Sequence, residues 1–147
     1  MDALIDTGVL IRLVLRHDPA YPEVRRAISL LRSRGDRLFA TTQNAAEFWS
    51  VCTRPPASRG GYGVSIQETA RKLKLVERLI EIKSESMIAY EIWKQLVVQH
   101  CVQGVGAHDA RLVAAMRAFG ITHLVTINKD DFKRFPGITV LEPREVN

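Results

Sequence analysis

The chain has few cysteines: two in 147 residues, Cys52 and Cys101, which lie in separate apolar stretches. No CxxC pair and no nearby pair of histidines accompanies them, which argues against a zinc site and against a disulfide framework. We therefore expect two buried thiols in a reducing compartment.

Long apolar runs are lacking as well. No uninterrupted stretch approaches the ~18 residues of a membrane-spanning helix, and the N-terminus has no basic segment followed by a long apolar one. We expect a cytoplasmic protein without a membrane partner. The glycine-rich motifs GxxxxGK[ST] and GxGxxG do not follow the first predicted strand, so no nucleotide or dinucleotide site is expected.

The composition is that of an ordinary globular domain, with 46% hydrophobic and 25% charged residues. A chain of this length can bury a full core, so one domain over residues 1–147 is predicted. The net charge of +5 and the isoelectric point near 9.6 favour anionic partners such as nucleic acid, although many ordinary proteins share them.

Short apolar runs alternate with segments of helical periodicity along the chain. The runs predict strands at 3–5, 38–40, 79–82, 123–126 and 139–141. Strands that alternate with helices favour a parallel sheet covered on both faces. The prediction is an α/β protein, a three-layer α/β/α sandwich with a central parallel sheet of four to five strands, similar to a Rossmann fold. The glycine-rich stretch 59–63 is predicted to be a flexible loop.

Four carboxylates, far apart in sequence, stand at the edges of apolar runs: Asp6, Glu47, Asp109 and Asp131, with Asn128 beside the last. Open parallel sheets bind ligands at the carboxyl ends of their strands, and all of these positions can reach that edge. Packed carboxylates repel one another unless a cation neutralises them. Together they predict a Mg²⁺ or Mn²⁺ site suited to phosphodiester hydrolysis.

Each of these residues, taken singly, has an ordinary structural interpretation. Asp6 could cap the helix that follows it, and Asn128 could cap a short turn. Glu47 stands three residues after Asn44, the spacing of a capping box. Asp109 could complement the dipole of its helix. These interpretations stay open for each residue alone.

Four stretches of the chain carry a resemblance to a known family. They are Leu-Ile-Asp-Thr at 4–7, Asn-Ala-Ala-Glu-Phe-Trp at 44–49 with Arg-Pro at 54–55, His-Asp-Ala-Arg-Leu-Val-Ala-Ala at 108–115, and Val-Thr-Ile-Asn-Lys-Asp-Asp-Phe at 125–132. In order and spacing they resemble the motifs of the PIN domain, particularly those of VapC-like toxins of type II toxin-antitoxin systems. The resemblance implies an endoribonuclease that uses Mg²⁺ or Mn²⁺ to cleave single-stranded RNA.

The resemblance also implies roles for particular residues. Asp6, Glu47 and Asp109 match the first three metal-binding acids of the family. The fourth position is open between Asn128, where family members often have Asp, and Asp131. The hydroxyls at positions 7 and 126 match polar positions beside the acids, and these residues, Thr7 and Thr126, either orient a carboxylate or satisfy a turn backbone.

Partners follow from the same resemblance: an RNA substrate, a small cognate antitoxin that binds near the active site, and a second copy of the chain in a homodimer. Basic residues near the acids are candidates to hold RNA phosphates, although for each of them an ordinary solvated surface charge is the favoured interpretation. Tyr62, in the glycine-rich loop, is the candidate for stacking on a base. The complete set of RNA-binding candidates is Arg54, Arg59, Tyr62, Lys129, Lys133 and Arg134.

Two other functions are weighed against this one. Phosphotransfer of the haloacid dehalogenase type requires a second Asp two residues after Asp6, and Gly8 stands there. A PIN-like module that binds RNA or a protein partner with weak or no catalysis stays open because of Asn128. The intact acids at the other three positions disfavour it.

Overall fold

The computed structural model describes residues 1–58 and 60–147. Within them, one sheet contains the strands β1 (Asp2–Ile5), β2 (Arg37–Thr41), β3 (Glu81–Lys83), β4 (His123–Val125) and β5 (Thr139–Leu141). Their order across the sheet is β3-β2-β1-β4-β5, and every neighbouring pair is parallel. The first strand is therefore central, and the carboxyl ends of β1, β2 and β4 lie side by side at one edge.

Helices cover both faces of this sheet. They are α1 (Thr7–Val14), α2 (Tyr21–Ser33), α3 (Thr42–Thr53), α4 (Ile66–Leu79), α5 (Met87–Gln99) and α6 (Gly106–Phe119), with short 3₁₀ turns at Lys129–Phe132 and Pro143–Glu145. Successive strand residues point to opposite faces. Ala3 and Ile5 pack with α1–α4, whereas Leu4 packs with α5 and α6. The predicted three-layer α/β/α sandwich is confirmed.

The third strand lies further along the chain than predicted. Residues 79–82 were expected to form it, but α4 continues through Leu79, and the N–H of Ile80 still donates to the carbonyl of Val76. The strand begins at Glu81. A short apolar run at a junction fits the period of a helix as well as that of a strand, so periodicity alone misplaces the boundary.

The two cysteines differ in their surroundings. Cys52 is buried, as expected, but Cys101 is exposed, so the prediction of a second buried thiol was wrong. Cys101 follows the end of α5 and has a φ of 50°, in the left-handed region. The apolar face that suggested burial ends with the helix, and the cysteine belongs to the turn after it.

The glycine-rich loop after α3 is fastened to the end of that helix. The N–H groups of Tyr62, Gly63 and Val64 donate to carbonyl oxygens at the C-terminal end of α3, at 2.8–3.1 Å. Those carbonyls are among the helix-end groups that have no partner within a helix. In its described part, the loop therefore acts as a C-terminal cap.

Close backbone packing at Gly61 predicts a large effect of a small substitution. A Cβ atom at this position would overlap the backbone carbonyl of Arg54, which cannot move without disturbing the cap. We expect Gly61→Ala to lower the free energy of unfolding by about 1–3 kcal/mol, measured by urea denaturation.

Gly8→Ala is the matched control for that substitution. Its Cβ meets the flexible end of the Ile127 side chain at 3.0 Å, and alanine is favoured over glycine inside a helix by about 0.8–1.0 kcal/mol. We expect this variant to lose less stability than Gly61→Ala, because a side-chain end can shift where a backbone carbonyl cannot. Equal losses in the two variants would contradict the contrast between backbone and side-chain neighbours.

A search of the described residues for membrane-spanning helices finds none, since no helix there combines the length and the apolar character that a bilayer requires.

Candidate active site

Asp6 lies directly after the central strand and caps α1. Its Oδ1 accepts from the N–H of Thr7 at 2.7 Å, and the hydroxyl of Thr126 donates to its Oδ2 at 2.7 Å. The register of β1 with β4 pairs Ile5 with Val125, so the next residue of each segment comes alongside the other. One carboxylate thus serves as a helix cap and faces the edge of the sheet where ligands bind.

Burial raises the pKa of Asp6 above its usual value. The hydrogen bonds from Thr126 and Thr7 act in the opposite direction, because they stabilise the charged form. Negative charges on Glu47 and Asp131 raise the pKa further. The carboxylate at the centre of the site therefore lies close to other acids and is partly removed from water.

The capping box of α3 differs from the one that the sequence suggested. Asn44 and Glu47 were candidates for the pair, but the box is formed by Thr41 and Asn44. The side-chain oxygen of Thr41 accepts from the N–H of Asn44 at 3.2 Å, and the side chain of Asn44 accepts from the N–H of Thr41 at 2.9 Å. Glu47 is therefore not used as a cap.

Glu47 is instead held by two neutral donors. The hydroxyl of Thr7 donates to its Oε2 at 2.7 Å, and the amide nitrogen of Gln43 donates to its Oε1 at 2.8 Å. The amide nitrogen of Asn44, a member of the capping box, donates in turn to the hydroxyl of Thr7 at 3.0 Å. Asn44, near the start of α3, thus orients the hydroxyl of Thr7, and Thr7 in turn orients Glu47.

Asp109 lies in the first turn of α6, at the same edge of the sheet. Burial, followed by the negative charges of Asp131, Asp6 and Glu47, raises the pKa of Asp109 to about 6. The adjacent His108 lowers it by less. Carboxylates raise the pKa of one another in this way only when they lie near each other, so Asp109 lies near Asp131, Asp6 and Glu47.

The segment after β4 brings the fourth acid near the other three. Asn128 begins the 3₁₀ turn, but its side chain makes no capping hydrogen bond, and its N–H donates to the Thr126 hydroxyl at 3.1 Å. Asp131 is exposed, yet its charge acts on Asp6 and Asp109. Asp130, in contrast, points to solvent and forms an ion pair with Lys133 at 2.6 Å.

These four carboxylates carry negative charge that the described part of the chain does not neutralise. Among residues 1–58 and 60–147, no lysine or arginine forms an ion pair with Asp6, Glu47, Asp109 or Asp131. In the same residues, no three Asp, Glu, His or Cys side chains form a ready-made group around one ion. Magnesium usually keeps several waters and binds one or two carboxylates directly, so the donor set fits a hydrated Mg²⁺ ion.

The two lysines proposed to bind RNA are engaged in ion pairs. Lys129 contacts both carboxylate oxygens of Glu145 at 2.9 Å, and Lys133 pairs with Asp130. The Lys133–Asp130 pair is well exposed and the Lys129–Glu145 pair is partly exposed, and ion pairs that water reaches contribute only about 0–1 kcal/mol. An RNA phosphate could therefore displace Glu145 from Lys129, or Asp130 from Lys133.

The remaining RNA-binding candidates lie in different places. The hydroxyl of Tyr62 donates to Asp18 at 3.1 Å and its ring packs on the core beside α1–α4, which favours a packing role over base stacking. Arg134 is exposed, and Arg54 is partly buried at the end of α3. Arg59 lies outside the described residues.

Sequence reasoning did not assign a site role to Gln43, Asn44 or Thr41. A signal for Gln43 was present, since residues four apart lie on one face of a helix and Glu47 is four residues further on. The hydrogen bond between Asn44 and Thr7 joins residues 37 apart along the chain, so it depends on the tertiary fold. The bond between Asn44 and Thr41 joins residues three apart and is local.

Thr126 provides a test of how the charged form of Asp6 is stabilised. Thr126→Val removes the hydroxyl that donates to Asp6, so the pKa of Asp6 rises further and more of it is protonated. We expect a rate of RNA cleavage about 10–100-fold lower, with the acid limb of the pH–rate profile moved to higher pH. Thr126→Ser keeps the hydroxyl and serves as the control. An unchanged profile in the valine variant would contradict this role.

Comparison with known proteins agrees with the fold. The family model of the PIN domain matches residues 3–138. The chain belongs to the PIN domain family. A comparison with curated proteins finds no match.

Solved structures of similar fold come from toxin-antitoxin complexes and toxins. VapBC2 of Rickettsia felis, bound to a promoter DNA fragment, has a TM-score of 0.72 at 17% identity, covering 97% of this chain and 98% of that chain. FitAcB of Neisseria gonorrhoeae has a TM-score of 0.69 at 14% identity, covering 96% and 97%. VapC20 of Mycobacterium tuberculosis, a toxin that cleaves the sarcin-ricin loop, has a TM-score of 0.59 at 17% identity, covering 83% and 86%.

Proposed function

We propose that the protein is an endoribonuclease that uses Mg²⁺ or Mn²⁺ to hydrolyse phosphodiester bonds of single-stranded RNA. The main support for this proposal is the set of four carboxylates, Asp6, Glu47, Asp109 and Asp131, which come together at one edge of the sheet, where the charges of the others raise the pKa values of Asp6 and Asp109. None of the four forms an ion pair with a lysine or arginine among the described residues. Membership of the PIN domain family supports the same chemistry.

The chain's own side chains have separate tasks in this mechanism. Asp6 and Asp109 would hold the ion, and Glu47 and Asp131 would complete its surroundings directly or through water. Asn128 can add an amide oxygen but no charge. When bound, the ion activates water for attack on the phosphate and stabilises the leaving oxygen. No side chain has to act as the nucleophile.

Neutral hydrogen-bond donors orient the acids, and in Asp6 they favour the charged form. Thr126 and the N–H of Thr7 lower the pKa of Asp6 against the effect of burial. Asp109, with a pKa of about 6, is mostly ionised at neutral pH. Because no lysine or arginine is used for this purpose within the described residues, the negative charge stays available to a cation.

The cellular role in this proposal is that of the toxin of a type II toxin-antitoxin pair, acting in the cytoplasm. Support comes from the similar structures, several of which are VapBC and FitAB complexes. A small antitoxin is therefore the proposed protein partner. A homodimer is proposed too, and the apolar side chains exposed on α5 offer it a surface, namely Met87, Ile88, Tyr90 and Val98.

Cleavage of labelled single-stranded RNA tests the proposal. The purified protein is expected to cut mixed RNA in Mg²⁺ or Mn²⁺, to stop in EDTA and to recover when the metal is returned in excess. Products should carry 5′-phosphate and 3′-hydroxyl ends, as the family resemblance implies. RNA binding that is retained with no metal-dependent cutting would instead identify a catalytically inactive module, the alternative that Asn128 raises.

A further inference from the structure

Gln43 is a buried polar side chain to which the proposed reaction gives no role of its own. It is the second residue of α3, and only 8% of it is exposed. It lies four residues before Glu47, on the same face of the helix. A long polar side chain at such a position needs partners that repay its removal from water.

The amide nitrogen of Gln43 connects two of the segments that carry acids. It donates to Oε1 of Glu47 at 2.8 Å and to the carbonyl oxygen of His108 at 3.3 Å. His108 directly precedes Asp109 in the first turn of α6. A single amide group thus links a carboxylate on one helical layer to the backbone that carries Asp109 on the other layer.

These neighbours determine how the amide group is turned. A carboxylate and a carbonyl group only accept hydrogen bonds, so the NH₂ group of Gln43 must face them. Its Oε1 then faces away, and it is buried without a hydrogen-bond partner among the described residues. A buried acceptor without a partner lowers stability. Fold stability alone therefore does not explain a glutamine here.

Glu47 depends on donors from two directions. Thr7, which follows Asp6, donates to its Oε2 at 2.7 Å, and Gln43 donates to its Oε1. Through these two contacts, Glu47 is tied both to the segment of Asp6 and to the segment of Asp109. Both donors are neutral, so they orient the carboxylate without cancelling its charge as a lysine or arginine would.

From this geometry we infer that Gln43 is a positioning residue of the active site. It fixes the carboxylate of Glu47 relative to Asp109 and keeps both in place for a divalent cation. This inference rests on the proposed function, because the cation is part of it. Gln43 acts through Glu47. Without Gln43, the carboxylate of Glu47 keeps only its hydrogen bond from Thr7.

Gln43→Leu is the principal test, since leucine has a similar size and removes both hydrogen bonds. Mn²⁺ affinity, measured by calorimetry without RNA, is expected to fall about 10–100-fold, as for outer partners of other metal ligands. We expect kcat to fall as well, with KM for RNA unchanged. The unfolding midpoint should not fall, because the unpartnered oxygen is removed together with the two bonds.

Gln67→Leu is the matched control. Gln67 is also the second residue of a helix, α4, but it is exposed and far from the acids along the chain. Its substitution should change neither Mn²⁺ affinity nor kcat. If Gln43→Leu does not fold, Gln43→Asn, which is one methylene too short to reach both acceptors, is measured by the same criteria.

A double substitution separates positioning through Glu47 from a general effect. In a Glu47→Gln background, adding Gln43→Leu should cause little further loss of Mn²⁺ affinity. Full affinity in Gln43→Leu, or equal losses with and without Glu47, would overturn the inference. A wild-type protein that binds no Mn²⁺ would overturn the proposed function itself, which is a distinguishable result.

Discussion

Asp6→Asn is expected to lower the rate of metal-dependent RNA cleavage by more than the roughly 10–100-fold typical of residues that only support a metal ligand. The substitution keeps the size of the side chain and removes its negative charge at the centre of the four carboxylates. The amide oxygen can still accept from the N–H of Thr7, so the cap of α1 is retained. Initial rates in Mg²⁺ and in Mn²⁺ measure the effect.

Stability should not follow activity in this variant. Burial disfavours the charged form of Asp6 and raises its pKa, so removal of the charge relieves an unfavourable interaction in the metal-free protein. We therefore expect Asp6→Asn to unfold at the same temperature as the wild type or at a higher one. Loss of activity together with an intact fold would assign the effect to the site.

Asp130→Asn is the control for the change of charge. Asp130 lies in the same turn as Asp131 but is exposed and paired with Lys133. Its substitution removes one negative charge and leaves Asp6, Glu47, Asp109 and Asp131 unchanged, so the cleavage rate should stay at the wild-type value. The assignment of Asp6 fails if Asp6→Asn cuts RNA at the wild-type rate, or if the control loses as much activity.

Asp109→Asn is expected to change activity and stability in opposite directions. Cleavage should fall by about 100-fold or more, again beyond the effect of a supporting residue. In EDTA at pH 7.5, however, the variant should melt about 2–4 °C higher than the wild type, corresponding to roughly 1 kcal/mol for a chain of this size. The expected gain in stability is small because Asp109 is only partly buried and solvent screens its charge.

The sign follows from the raised pKa of Asp109, about 6 against a reference value of 3.8. Above pH 6, the folded state carries a charge that the unfolded state accommodates more easily, so the burial of this charge, followed by its repulsion from the other acids, lowers stability. Below about pH 4, the carboxyl is protonated in both states and the penalty disappears. The metal-free wild type should therefore lose stability relative to Asp109→Asn as pH rises from 4 to 6.

Melting curves across that pH range, with and without excess Mg²⁺, measure the effect. A cation that binds only the folded state raises the melting temperature by mass action, so Mg²⁺ should stabilise the wild type more than the variant. A melting difference that does not depend on pH would show that Asp109 acts through packing instead of charge. In the wild type, Lys133 lowers the pKa of Asp130. The control variant Asp130→Asn should therefore not show the same trend.

The sandwich could be predicted because each layer leaves a local mark on the chain. Ala3, Leu4 and Ile5 form a continuous apolar run, which is required of a strand packed on both faces, and the structure places them in β1. Helix ends are similarly local: α6 ends at Phe119, before Gly120 with its φ of 70°. The boundary between α4 and β3 was predicted wrongly because the apolar residues at Leu79 and Ile80 fit the period of a helix as well as that of a strand.

The candidate site could be predicted in part, for a related reason. The carboxyl ends of parallel strands lie at one edge, so Asp6 and the turn after β4 were expected at the same edge once the sheet was inferred. That β1 and β4 are neighbours, which brings the two segments close, is shown only by the structure. The partners of the acids could not be predicted. Thr7 and Glu47 are 40 residues apart, and which oxygen accepts from which hydroxyl depends on side-chain positions that periodicity does not specify.

The sequence by itself determined the elements, the layers and the four acids at the carboxyl edge, because apolar periodicity and the strand-end position of polar residues are encoded locally. The tertiary structure alone decided that Glu47 is braced by Thr7 and Gln43 instead of serving as a cap, and that Tyr62 packs on the core. Those outcomes depend on distances between segments far apart along the chain. Such distances are set only when the helices pack on both faces of the sheet.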